Sequence, residues 1–317
     1  MTPAAEASSW PALPYEDWRP TRDTLHMYTQ VIGKLRLALS PFEPGWANVA
    51  LYVTARGLST SPLRVGNRAI DAELDLVSHE VAIRSSDGRI ERRPLGGAVA
   101  DFYGDTLDAL ARLDVDVRLS DKPQEIPDAI PFPDDRVHNT YVPAAAARFH
   151  SALSTVDLVL KEYHAHFMGR STPVHFFWGT FDIAVTRYSG HRAQPKHTDP
   201  VLRYSEDAEE ICSGWWPGDE QRQYAAFYSY LFPTRDGMEQ IPLEPSDARW
   251  DERSGLFLLT HESVRTSQTP DDDVRAFLQT TYTGQSRIAN WDESLTQVNT
   301  PLASGITSDR RTADAGE

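Results

Sequence analysis

The sequence predicts an α+β protein made of two similar halves, each reading helix, strand, strand, strand, helix. Antiparallel sheet is expected in both, with helices packed on one face and a cleft between the halves. Three observations carry this expectation. Apolar residues recur at helical spacing at the start and end of each half, and alternate in the stretches between. A proline-rich segment divides the chain near its middle. A short echo links the halves: Leu51-x-Val53-Thr54 near Arg56 and Gly57 against Ile183-x-Val185-Thr186 near Arg187 and Gly190.

In chain order, a Thr/Asp cap region at Thr21 to Asp23 leads into Leu25, Tyr28, Ile32, Leu35 and Leu39, one apolar stripe on a helix stopped by Pro41 and Pro44. Asn48 to Arg56 reads as a strand with Val49, Leu51 and Val53 on one face and Tyr52, Thr54 and Arg56 on the other. Ile70 to Leu76 and Val81 to Arg84 read as short strands, and Asp87-Gly88 is a hairpin signal before Arg89 to Leu95. A helix is expected over Ala98 to Leu113. Pro123, Pro127, Pro131, Pro133 and Pro143 mark residues 121–143 as a linker.

In the second half, Phe149, Leu153, Val156, Leu160, Tyr163 and Phe167 step along a helix ending at Gly169. Pro173 to Tyr188 reads as one long strand, followed by strands at Tyr224 to Phe232 and Gly255 to Thr260. Thr269 caps the last helix, Pro270 takes its first position, and Asp271, Asp272 and Asp273 meet the positive end of its dipole. These boundaries divide the chain into a disordered start (1–9), a first half (10–120), the linker, a second half (144–300) packed on the first as one domain, and a disordered tail (301–317).

The chain has 317 residues, of which 40% are hydrophobic, with 8 Trp, 12 Tyr and 12 Phe, enough to bury a core. A formal charge of −15 argues against nucleic acid and anionic membrane surfaces as partners. Cys212 is the one cysteine, which excludes an internal disulfide and any multi-thiolate metal site. No apolar run reaches the roughly eighteen residues that cross a bilayer, and Met1 to Ser9 lacks the pattern of a secretion signal, so a cytoplasmic location is expected. Phosphate-binding, dinucleotide-binding, nucleophile-elbow and metalloprotease motifs are absent, no metal is expected, and no cofactor is specified.

The segments Trp10-Pro-Ala-Leu-Pro-Tyr-Glu-Asp-Trp18, Thr24-Leu-His26, Leu51-Tyr-Val-Thr-Ala-Arg-Gly57, Val174-His-Phe-Phe-Trp-Gly-Thr-Phe-Asp182, Val185-Thr-Arg187 and Gly214-Trp-Trp-Pro-Gly218 resemble a bacterial family catalogued as domain of unknown function 5996. The resemblance runs from about Trp10 to Asp292 and implies one unit spanning both halves. It implies no activity. The family pattern carries a His-Glu pair before the Trp-Pro-Gly turn, where this chain has Ala208-Glu209.

Strand parity through Val174 to Thr186 puts Trp178, Thr180, Asp182 and Thr186 on one face, joined by Tyr52, Thr54 and Arg56 from the first half and Tyr228 from another strand. His26, His175, Arg56, Arg187, Asp182 and Glu209 are polar residues inside apolar motifs, and a buried charge is costly without a partner or ligand. The expected function is binding of a small organic anion, with or without catalysis, in an aromatic cleft. Arg56 and Arg187 would clamp the anion; Trp178, Trp215 and Tyr228 would stack on it; Tyr52, Thr54, Thr180 and Glu209 would line the cleft; and His26, His175 or Asp182 would transfer protons. The alternative is an interaction or self-assembly protein whose aromatic face is an interface.

Overall fold

The computed structural model describes residues 10–194 and 200–296. The expectations for residues 1–9 and 301–317 lie outside the described residues. The first half opens with α1 (Tyr15–Leu39), continues through β1 (Tyr52–Val53), β2 (Gly57–Ser59), β3 (Leu63–Val65), β4 (Arg68–Asp75), β5 (Glu80–Ser85) and β6 (Ile90–Pro94), and ends in α2 (Val99–Arg112). The second half runs α3 (Pro143–Ala165), β7 (His175–Phe177), β8 (Asp182–Arg192), α4 (Pro200–Ser205), β9 (Ala208–Trp216), β10 (Ala226–Phe232), β11 (Arg249–Asp251), β12 (Leu256–Thr260), α5 (His261–Thr266) and α6 (Pro270–Ile288).

Each half builds a six-stranded antiparallel sheet where three strands were expected. The first runs β1-β2-β4-β5-β6, with β3 pairing on β4; the second runs β11-β12-β10-β9-β8-β7. The shared order of helices and strands is therefore not matched by a shared strand connectivity. Leu51, just before β1, forms a bridge with Phe176 of β7, so the edge of one sheet continues into the edge of the other. In β4, Ile70, Ala72 and Leu74 face the core while Asp71, Glu73 and Asp75 face away. The apolar side takes α1 and α2, which meet each other as well as the sheet.

Several local expectations change for identifiable reasons. α1 starts at Tyr15, ahead of Thr21, because Trp18 and Tyr15 bury an extra turn and Pro20 sits inside the helix, where it only removes one amide donor. The strand expected over Asn48 to Arg56 shrinks to two residues. α3 stops at Ala165, before Gly169. Thr269 makes no side-chain cap on α6, although Pro270 does take the first turn. The stretch read as one strand over Pro173 to Tyr188 is two, separated by a tight turn in which Phe181 has φ +59° and its amide donates to the Phe177 carbonyl at 2.8 Å.

The proline-rich segment is packed, not loose. Phe132 and Asp135 are fully buried, Gln30 exchanges two hydrogen bonds with the Gln124 backbone, and the Thr24 and Thr21 hydroxyls accept from the Thr140 and Val142 amides.

Candidate functional site

Alternation along β8 sends Ile183, Val185 and Arg187 toward α3, and Asp182, Ala184, Thr186 and Tyr188 to the opposite face. The register extends this second face across the sheet. Ala184 lies opposite Gly214, Thr186 opposite Cys212 and Tyr188 opposite Glu210 on β9, while β10 adds Tyr228 and Tyr230. Trp216 stacks on Tyr228 at 5.0 Å between ring centroids, and Tyr230 follows at 6.4 Å. These rings lie over a small apolar cluster of Ala184, Cys212 and Leu258, separate from the main core.

Asp182 sits at one end of this face. Thr180 and Tyr228 donate their hydroxyls to its two carboxylate oxygens. No cation pairs with it among the described residues, and burial raises its pKa above the ordinary carboxylate value. Burial and the Asp182 carboxyl raise the Tyr228 hydroxyl well above its usual value. Tyr228 reaches Asp182 by crossing directly over Gly214, where a Cβ would come within 2.5 Å of the phenol oxygen.

The other end of the face opens into a cavity of about 390 Å³ lined by Arg170, Tyr188, Gly190, His191, Arg192 and Asp207, with Ala193 and Ala208. It forms where the β8–β9 pairing slips between Tyr188 and Arg192, a bulge that Gly190 turns with φ +93°. The Arg170 guanidinium lies 4.4 Å from the centre of the Tyr188 ring. Beside Tyr188, Glu210 is pushed up to about 8 by burial and by the neighbouring Glu206 and Asp207 carboxylates. All of the residues lining this cavity come from the second half.

The structure gathers some of the expected site residues and scatters others. Asp182, Thr180 and Tyr228 are joined by hydrogen bonds as described. His175 and Tyr52 sit on the same face, their rings 6.1 Å apart across the junction of the two sheets. His175 is 0% exposed, both ring nitrogens lack partners, and burial lowers its pKa to about 4, so it is sealed away from any substrate. His26 is also buried; its Nε2 donates to the Trp178 and Gly179 carbonyls at 2.9 and 3.1 Å, which fixes the turn before β8. Burial lowers it to about 3.

Arg56 and Arg187 do not converge on an anion. Arg56 pairs with Asp75 at 2.5 Å on the outer side of the first sheet, and Thr54 beside it donates to Glu73 at 2.7 Å. Arg187, 1% exposed, points the other way, under α3 and α6, with Tyr163, Tyr282 and Phe167 around its guanidinium and the Tyr163 carbonyl accepting one N–H. Arg187 and Asp182 do not pair, since strand parity puts them on opposite faces of β8. Trp178 and Trp215 are core residues: the Trp178 indole donates to the Val49 carbonyl at 2.8 Å, and Trp215 stacks toward Phe149. Glu209 accepts from Arg235 at 2.5 Å and lies 3.4 Å from His191, which connects it to the cavity wall.

Arg170, Arg192 and Asp207 were missed by sequence reasoning. Arg170 follows the helix that was expected to run to Gly169, and the bulge that turns Arg192 toward it is set by pairing with a strand sixteen residues further on, at Ala208. The signal present in the sequence was Gly190 flanked by Tyr188, His191 and Arg192 at the end of an apolar strand.

Two antiparallel sheets spliced edge to edge, helices behind them, and one face carrying stacked rings, two raised carboxyls and a basic cavity together define a two-sheet α+β protein. The chain belongs to the family of unknown function DUF5996, which matches residues 10–298. No curated protein and no solved structure matches it.

Proposed function

We propose that the protein binds a small organic anion in the cavity at the β8–β9 bulge. The observation that carries this reading is the lining itself. Arg170 and Arg192 flank the cavity together with His191, and neither arginine has an ion pair among the described residues. Guanidinium forks are matched to carboxylate or phosphate, and the cavity is within the size range of small-molecule sites. In a chain of net charge −15, a local group of cations at a cavity is a departure from the surface as a whole. The lining of Tyr188, His191, Arg170 and Arg192 shares no residue with the set expected from the sequence.

The test is calorimetric titration of the full chain with inorganic phosphate, acetate and succinate at low salt. Saturable binding of at least one anion, weakened tenfold or more in both Arg170→Gln and Arg192→Gln, is the expected result. Both side chains are exposed, so the variants keep the fold. Absence of saturable binding, or binding indifferent to both substitutions, sinks the proposal.

A further inference from the structure

We infer that the ligand of this cavity is a zwitterion, an α-amino acid or a close amino-carboxylate, in which the carboxylate meets Arg170 and Arg192 and the ammonium meets Asp207. The inference rests on the cavity being a binding site and names the chemistry it takes.

The cavity carries both signs of charge. Asp207 lines it alongside the two arginines, and the Ala193 amide donates to the Asp207 carbonyl at 3.2 Å, so Asp207 stands directly across the strand pair from Arg192–Ala193. Despite that proximity no ion pair joins Asp207 to Arg170 or Arg192 among the described residues. Opposite charges held around one space without neutralising each other are complementary to a ligand that carries both.

A plain carboxylate would gain the arginines but face the Asp207 carboxylate. A plain amine would gain Asp207 and face two guanidinium groups. Only a ligand with both groups a few bonds apart meets all three without an unmatched charge, and an α-amino acid has that spacing. The neighbouring walls agree. Gly190, Ala193 and Ala208 take little room, and about 390 Å³ accommodates an amino acid with a medium side chain over the Tyr188 ring.

Calorimetry with alanine, glutamate and leucine, against propionate and ethylamine as the separated halves, tests the inference on the full chain. At least one amino acid is expected to bind tenfold or more tighter than either half-ligand. Asp207→Asn should reduce amino-acid affinity to that of propionate, and Arg192→Gln should reduce it to that of ethylamine. If propionate binds as tightly as alanine and Asp207→Asn changes nothing, the zwitterion is overturned while anion binding stands. If ethylamine binds as tightly as alanine, the zwitterion is overturned as well. If no amino acid, carboxylate or phosphate binds, the site and the inference fall together.

Discussion

Leu51 and Phe176 exchange both backbone hydrogen bonds at 2.8 Å, and that single pair splices the first sheet to the second. Phe176 also packs its ring against Phe181 at 5.2 Å and Phe149 at 6.5 Å, so the splice is sealed by the core beneath it. Phe176→Ala should cost about 3–5 kcal/mol. Urea unfolding is expected to stay a single transition, shifted to a lower midpoint. A second transition in the wild type would mean that the halves are separately stable.

Arg187 is a buried cation whose Nε and Nη1 find no acceptor, held by aromatic rings in place of a carboxylate. Replacing such a group with an apolar residue of similar length often leaves stability unchanged or raises it, whereas truncation leaves a void. Arg187→Met should therefore fold with stability equal to or above that of the wild type, and Arg187→Ala should lose about 2–5 kcal/mol. Neither should alter anion binding, because the side chain lies on the face away from the cavity. Loss of binding in a well-folded Arg187→Met protein would contradict this placement.

His175 and His26 stay neutral in the folded protein down to about 4 and about 3, from an ordinary value of 6.5. The unfolded chain takes up protons below 6.5 that the folded chain refuses. Stability is therefore lost as pH falls from 6.5 through 4, by up to about 1.4 kcal/mol per pH unit for each group. His175→Phe, set between the Tyr52 and Phe177 rings, should flatten this loss in denaturation measured at pH 7, 6 and 5. An unchanged slope would show that the imidazole is not titrating as its burial requires.

Glu210 works in the opposite direction. Its carboxyl holds a proton in the folded state up to about 8, against 4.5 in the open chain, so its stabilising contribution is complete below 4.5 and disappears as pH rises through 8. Glu210→Gln has no proton to lose. The variant should be more stable than the wild type at pH 8.5, with the advantage shrinking toward pH 4.5. Thermal melts across that range check it, and a constant offset at every pH would refute it.

Much of the architecture was legible because it rests on local chemistry. Pro270 and the three aspartates announced α6, and the spacing of Phe149 to Tyr163 announced α3. The Asp182–Tyr228 contact was within reach too, since parity and residue type put both on the same kind of face. What failed was parity across the break at Phe181, whose left-handed backbone interrupts a run of aromatic residues that otherwise reads as continuous strand. That break is stabilised from far away, by His26 of α1 bonding the turn carbonyls. Arg187 misled for another reason: an arginine in an apolar strand suggests an exposed or ligand-facing position, and only the rings of α3 and α6 reveal that it points inward. The cavity needed the β8–β9 slip, a property of two strands that neither strand specifies alone.

The clamped proline-rich segment separates covalent connectivity from structural connectivity. α1 belongs to the first half by chain order, yet it holds the turn before β8 and anchors residues 124, 140 and 142 through Gln30, Thr24 and Thr21. A backbone nick at Asp128, in the exposed stretch between these anchors, is expected to leave two polypeptides that stay associated, which size-exclusion chromatography after limited proteolysis checks. The proline-rich stretch thus joins the two sheets through the side chains of α1 as well as through the backbone.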